Sequence, residues 1–213
     1  APFEAQYLKL HDVTPPPAPT TPAGPNILAY VVGNSATFTW TAAADPDGGV
    51  SGFHLQVGTS PGGSNLFNAN TTITSQAVGG LTYGSVIYAR VSQLNNAGIE
   101  GPFSSTSAAI EVLDPAADRD GDGQSNAAEQ SAGTNPLDSA SVLRATAISR
   151  SGNDVLVTVS TIAGKSYQFE TSTTLGSWSP LGSPVTATGT STTFTHTNGA
   201  GDTKRFYRAR VIE

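Results

Sequence analysis

Asp118, Asp120, Asp122, Gln124 and Glu129 stand at fixed offsets in the run Asp-Arg-Asp-Gly-Asp-Gly-Gln-Ser-Asn-Ala-Ala-Glu. The run satisfies D-x-[DN]-x-[DN]-G-x5-E, the spacing of a calcium-binding loop. Calcium takes about six to eight oxygen ligands, and alternate carboxylates on a tightly turning chain bring several of them to one point. Asp118, Asp120 and Asp122 fall at loop positions 1, 3 and 5, and Gly123 at position 6, where the turn is sharpest. Gln124 at position 7 is expected to supply its backbone carbonyl, and Asn126 at position 9 to hold a water. Glu129 at position 12 is expected to close the site with both carboxylate oxygens.

Other chemistry is poorly supplied. The histidines, His11, His54 and His196, are far apart, and two of them alternate with apolar residues as on the solvated face of a strand. There is no nucleophile elbow, phosphate-binding glycine loop or paired-histidine zinc motif. Acids outside the loop are scattered singly, which leaves no general acid and base pair. The expectation is a protein that is not an enzyme. With no cysteine, disulfides and thiolate metal sites are excluded.

The elements that must carry the loop are strands. Charged residues make up 12% of the chain, while Gly, Pro, Ser and Thr are plentiful. Ala36, Phe38 and Trp40 alternate with threonines; Phe53, Leu55 and Val57, then Ile87, Ala89 and Val91, repeat the pattern. Period-two alternation of this kind predicts half-buried antiparallel strands. It returns at Val155, Val157 and Val159, and at Tyr167 and Phe169. Directly after the loop, residues 126–132 have the composition of a two-turn helix that Gly133 is placed to end. The predicted class is all-β: two β-sandwich domains joined by a short calcium-binding loop and helix.

The boundaries follow. Residues 1–25 read as a strand at 1–11 and a proline-rich linker, with prolines at 15, 16, 17, 19, 22 and 25 favouring an extended spacer. Residues 26–113 form the first sandwich, 114–141 the calcium-binding linker, and 142–213 a small second sandwich. The net charge of −6 is uneven. Residues 114–141 carry six acids and one base, whereas 142–213 carry four acids and seven bases, and 1–113 carry six acids and two bases. Acidity is therefore concentrated where an ion would sit.

Trp40, the stretch Leu81-Thr-Tyr-Gly-Ser85 leading into Tyr88-Ala-Arg-Val91, and Asn96 to Ser104 make the first sandwich resemble a fibronectin type III domain. One departure is Ile87, which stands where that family carries the tyrosine of its tyrosine corner; that hydrogen bond is expected either to be lost or to be supplied differently by neighbouring Tyr88. The run from Asp118 to Ser141 resembles the calcium repeats of thrombospondin type 3 and dockerin-like modules, but with a single loop. Tyr167 to Ser172, Leu175 to Trp178 and Arg205 to Val211 resemble the small sandwich that closes many multi-domain secreted bacterial proteins.

These resemblances imply a non-catalytic extracellular accessory or spacer region of a larger secreted protein, with a structural Ca2+ rigidifying the junction between two sandwiches. The alternatives are a carbohydrate-binding region of a polysaccharide-active enzyme, or a surface or fibre subunit. Candidate sugar-stacking rings are Tyr83, Tyr88, Tyr167, Trp178 and Tyr207; the competing reading is that Tyr207 fills a core with Trp40, Phe53 and Phe169, and that Trp178 covers a sandwich edge. Expected partners are a polysaccharide, another domain of the parent protein, or a second copy. The basic strand Lys204, Arg205, Arg208 and Arg210 reads as a solvated face, and nucleic acid is not an expected partner. No apolar run approaches the ~18–20 residues that a membrane-crossing helix needs. A chain without methionine is expected to be a processed or excised piece, located outside the cell or at its surface, where calcium suffices for the weaker modules.

Overall fold

The computed structural model describes residues 14–24, 29–46, 48–201 and 203–212; the strand expected at 1–11 lies outside them. The chain divides into two compact units between Asp114 and Pro115. No helix among the described residues is long and apolar enough to cross a membrane.

In the first unit the strands are β1 (Tyr30–Val32), β2 (Ser35–Thr39), β3 (Val50–Gly58), β4 (Phe67–Thr71), β5 (Ser75–Gly79), β6 (Val86–Asn95) and β7 (Ile110–Leu113). One sheet runs β1-β7-β6-β3-β4, and β2 pairs with β5 in the other. Only β1–β7 is parallel among these pairings. Side chains alternate across a strand, so the period-two residues all reach the same interior. Phe38, Leu55, Val57, Ile87, Val91 and Val112 are each wholly buried there. Trp40 packs edge-on against Phe53, with ring centroids 5.6 Å apart.

Ile87 is part of this core, and no hydroxyl bond from Tyr88 replaces the missing corner among the described residues. The corner is closed locally instead. The Gly84 N–H donates to the Val112 carbonyl at 2.7 Å, and the Ser85 hydroxyl donates to the Thr82 carbonyl at 2.6 Å.

The proline-rich stretch is not a free spacer over its described part. Pro16, Pro19 and Pro22 are buried while their neighbours are largely exposed. A polyproline II helix has about three residues per turn, so every third residue faces the same way. That edge lies against the first unit. The Asn95 side chain donates to the Thr14 carbonyl at 3.1 Å, the Thr20 N–H to the Thr41 carbonyl at 3.0 Å, and Ala23 forms an antiparallel bridge with Thr39. Gly101 sits beneath Pro16, where a Cβ would collide with the Pro16 carbonyl.

The second unit opens with the loop and helix α1 (Asn126–Ala132), followed by β8 (Ala145–Ser151), β9 (Asp154–Ser160), β10 (Ser166–Ser172), β11 (Ser179–Pro180), β12 (Val185–Thr186), β13 (Ser191–His196) and β14 (Phe206–Ile212). One sheet runs β13-β9-β8; in the other, β10 pairs with β11, β12 and β14. Their shared core holds Val155, Val157, Val159, Tyr167, Phe169 and Phe194. Phe169 and Phe194 stack at 3.9 Å between centroids. All seven residues of β8 are exposed, so this strand has a partner in its own sheet but none facing it.

Candidate metal centre

The loop is shaped by its own carboxylates. Asp118 accepts the N–H of Gly121 at 2.8 Å through Oδ1 and that of Gly123 at 2.9 Å through Oδ2. Asp120 Oδ1 accepts from the Asp122 N–H at 3.2 Å, and Asp122 Oδ1 from the Gln124 N–H at 2.7 Å. Gly123 has φ +94°, a backbone conformation that a side chain disfavours. Oxygens of Asp118, Asp120 and Asp122 thereby come within 4.8 Å of one another.

Helix α1 carries the fourth carboxylate, Glu129, which feels the charges of the three aspartates but stands outside their close group. Ser125 caps it, its side chain accepting from the Ala128 N–H, and Gly133 ends it in the left-handed conformation at φ +79°. The Asn126 N–H donates to the Ala117 carbonyl at 2.7 Å, tying the start of the helix to the start of the loop. Glu129, one turn on, is 0% exposed.

Asp120 Oδ2, Asp122 Oδ2 and both carboxyl oxygens of Glu129 are buried without a hydrogen-bond partner. Buried polar atoms are nearly always paired, and an unpaired buried charge is among the costliest arrangements in a protein. Burial first, then the charges of Asp120, Asp122 and Asp118, push the Glu129 carboxyl up to about 7, with a smaller opposing pull from the Thr134 hydroxyl. The donor set is all oxygen and anionic, with the three aspartates convergent and Glu129 outside that group of three, and its chemistry fits a hard divalent cation such as calcium. Asp118, Asp120, Asp122 and Glu129 are the side chains that would hold it.

Two loop residues act as braces. Gln124 Nε2 donates to the Leu143 carbonyl at 3.0 Å, fixing the loop to the chain that enters the second sandwich. Asn126, assigned a water from its loop position, is buried, and its Oδ1 accepts from the Arg119 N–H at 3.1 Å. Lys165 lies far along the chain from the helix, and no spacing in the sequence links the two. Its ammonium donates to the Ser131 carbonyl at 3.0 Å, placing a cation near the negative end of the helix. The segment read as a linker is thus fastened to β8–β14 and belongs to the same compact unit.

Among the described residues, His54 and His196 form no nucleophile–base contact. Ser92 is buried, and its hydroxyl donates to Glu100 Oε1 at 2.5 Å, not to a histidine. His54 Nδ1 lies 2.7 Å from the same oxygen, and its Nε2 lies 2.6 Å from Asn68 Oδ1. Burial pushes the Glu100 carboxyl up, but bonds from Ser92 and His54 outweigh it and hold the group below its ordinary value. His196 Nδ1 is 3.0 Å from the Tyr207 hydroxyl.

The candidate stacking rings do not form one exposed row. Tyr167 is buried, its hydroxyl accepting the Ile162 N–H at 2.8 Å. The Trp178 ring is covered by the Arg208 guanidinium at 4.3 Å, while Tyr83 is exposed in a turn of the other unit.

No family model matches this chain, and no curated protein matches it. Similar solved structures include the sixth fibronectin type III domain from human fibronectin type III domain containing protein 3, at 22% identity and TM-score 0.39, over 47% of this chain and 89% of that one. An Fn3-like protein from Clostridium thermocellum matches at 25% identity and TM-score 0.34, over 46% of this chain and 95% of that one. The Twitchin kinase region from C. elegans matches at 21% identity and TM-score 0.38, over 47% of this chain but only 17% of that one. The likeness is confined to part of the chain at low scores, so the architecture stands on its own strands.

Proposed function

We propose that this chain is a non-catalytic accessory region of a larger secreted protein, in which one calcium ion closes the loop onto helix α1, which Gln124 and Lys165 hold to the C-terminal sandwich. The observation that carries the reading is the set of four buried carboxylate oxygens without partners, on Asp120, Asp122 and Glu129. Without an ion these groups repel one another; with it, the same charges become ligands and the loop closes on Glu129. The Gln124 backbone carbonyl is the expected fifth protein contact. A ligand that binds only the folded state stabilises it by RT ln(1 + [Ca]/Kd), ~2.7 kcal/mol at a hundredfold excess over Kd. Calcium titration by calorimetry, with melting curves in calcium and in chelator, tests this. One ion bound and a raised Tm are expected; identical curves and no binding heat would sink the proposal.

A second reading, self-association, draws support from β4. It is the edge of its sheet, and residues 65–74 carry no charge and no proline. Such an edge lacks the usual guards against pairing with another chain. Light scattering across concentration should show a dimer that Ala69→Lys abolishes; a monomer throughout discards this reading.

A further inference from the structure

We infer that the open cleft between β8 and β14 binds an anionic sugar, a short uronate oligosaccharide. Within the β13-β9-β8 sheet, Ile148 pairs with Val157 and Arg150 with Val155. Directly opposed residues share a face, and both valines are buried in the core. Ile148 and Arg150 therefore point to the core side of their sheet. Ile148 is nevertheless 65% exposed. The facing sheet ends at β14, and a cavity of about 450 Å³ takes the space that another strand would fill. That volume lies in the range of small-ligand sites, ~300–1,000 Å³.

Three kinds of group line this cavity. Ile148 and Val155 give it an apolar wall, Thr203 offers a hydroxyl, and Arg150, Lys204 and Arg205 bring positive charge. Arg150 has no polar partner among the described residues, and the contact made by Lys204 is with the face of Phe206 at 4.9 Å. A pyranose uronate presents the complementary set: a C–H face, a rim of hydroxyls and a carboxylate. Arginine recognises carboxylates through its planar fork of donors. The cations are local, because residues 142–213 carry seven bases against four acids in a chain of net charge −6. Nucleic acid fits less well: the cleft has no row of exposed rings for base stacking, and the rest of the chain is acidic.

The cleft and the calcium loop are separate sites with separate tests. Calorimetry on the full chain, at fixed calcium, compares hexagalacturonate, a neutral glucose hexamer and hexaglutamate. Galacturonate should bind, with affinity falling as salt rises, and the neutral sugar and the peptide should bind at least about tenfold more weakly. The double variant Arg150→Ala/Lys204→Ala should lose at least about tenfold in affinity with Tm unchanged, while Arg90→Gln on the other unit should retain it. No uronate binding, equal binding of hexaglutamate, or full affinity in the double variant overturns the inference. A uronate held through calcium would survive the double variant and disappear in Asp120→Asn, which overturns it as well.

Discussion

Glu129 shows how one residue changes sign with its surroundings. Its carboxyl is fully buried beside three aspartates and has no hydrogen-bond partner. In chelator at pH 8, Glu129→Gln should raise the Tm of the second unit, because a buried negative charge is removed. In excess calcium the same variant should lower it, because a ligand is lost. Thermal melts in the two conditions should therefore cross. Parallel shifts in both conditions would mean that Glu129 is no ligand. Asp120→Asn should weaken calcium while keeping the loop in shape, since the asparagine Oδ1 can still accept the Asp122 N–H.

Among the elements, the pairing of β10 with β14 contains a compact charge device. Glu170 is buried, and its two oxygens accept from Arg208 Nε at 2.6 Å and Arg210 Nε at 3.1 Å. Burial pushes its carboxyl up, but the bonds and charges of the two arginines prevail and hold it below the ordinary carboxylate range. A depressed carboxylate contributes stability that is complete above its unfolded value near 4.5 and is lost as pH falls through the folded value. Glu170→Gln should thus destabilise the second unit at pH 7 by about 1–3 kcal/mol, less than a fully buried pair because both arginines are roughly half-exposed. The deficit should shrink on acidification below pH 4.5, as denaturant melts can show. In the first unit, Gly101→Ala should cost about 1–3 kcal/mol by driving a Cβ into the Pro16 carbonyl. Urea unfolding measures it, and a neutral result would mean that the proline segment is only loosely held.

At the level of the whole molecule, the division between Asp114 and Pro115 places the loop, the helix and the second sandwich in one unit. Calcium should then act unequally. Scanning calorimetry of the full chain should show two transitions, with chelation lowering only the one that belongs to residues 115–213. Equal shifts in both would instead indicate that the ion couples the units.

The sequence by itself determined what depends on spacing along the chain. Strand alternation placed Phe38, Leu55, Val91, Val157 and Phe169 in cores, because side chains on a strand alternate faces wherever the strand lies. The loop offsets and Gly133 likewise set the turn and the helix end, since both are local backbone geometry. Only the tertiary structure decided the rest, because it depends on residues that meet from distant parts of the chain. Pro16 met Gly101 and turned an apparent spacer into part of a sandwich. Gln124 and Lys165 fastened the loop and helix to the second unit. β8 was left without a strand facing it, which opened the cleft. Above all, burial stripped water from the oxygens of Asp120, Asp122 and Glu129, and the cost of leaving such charges unpaired is what the proposed ion would relieve.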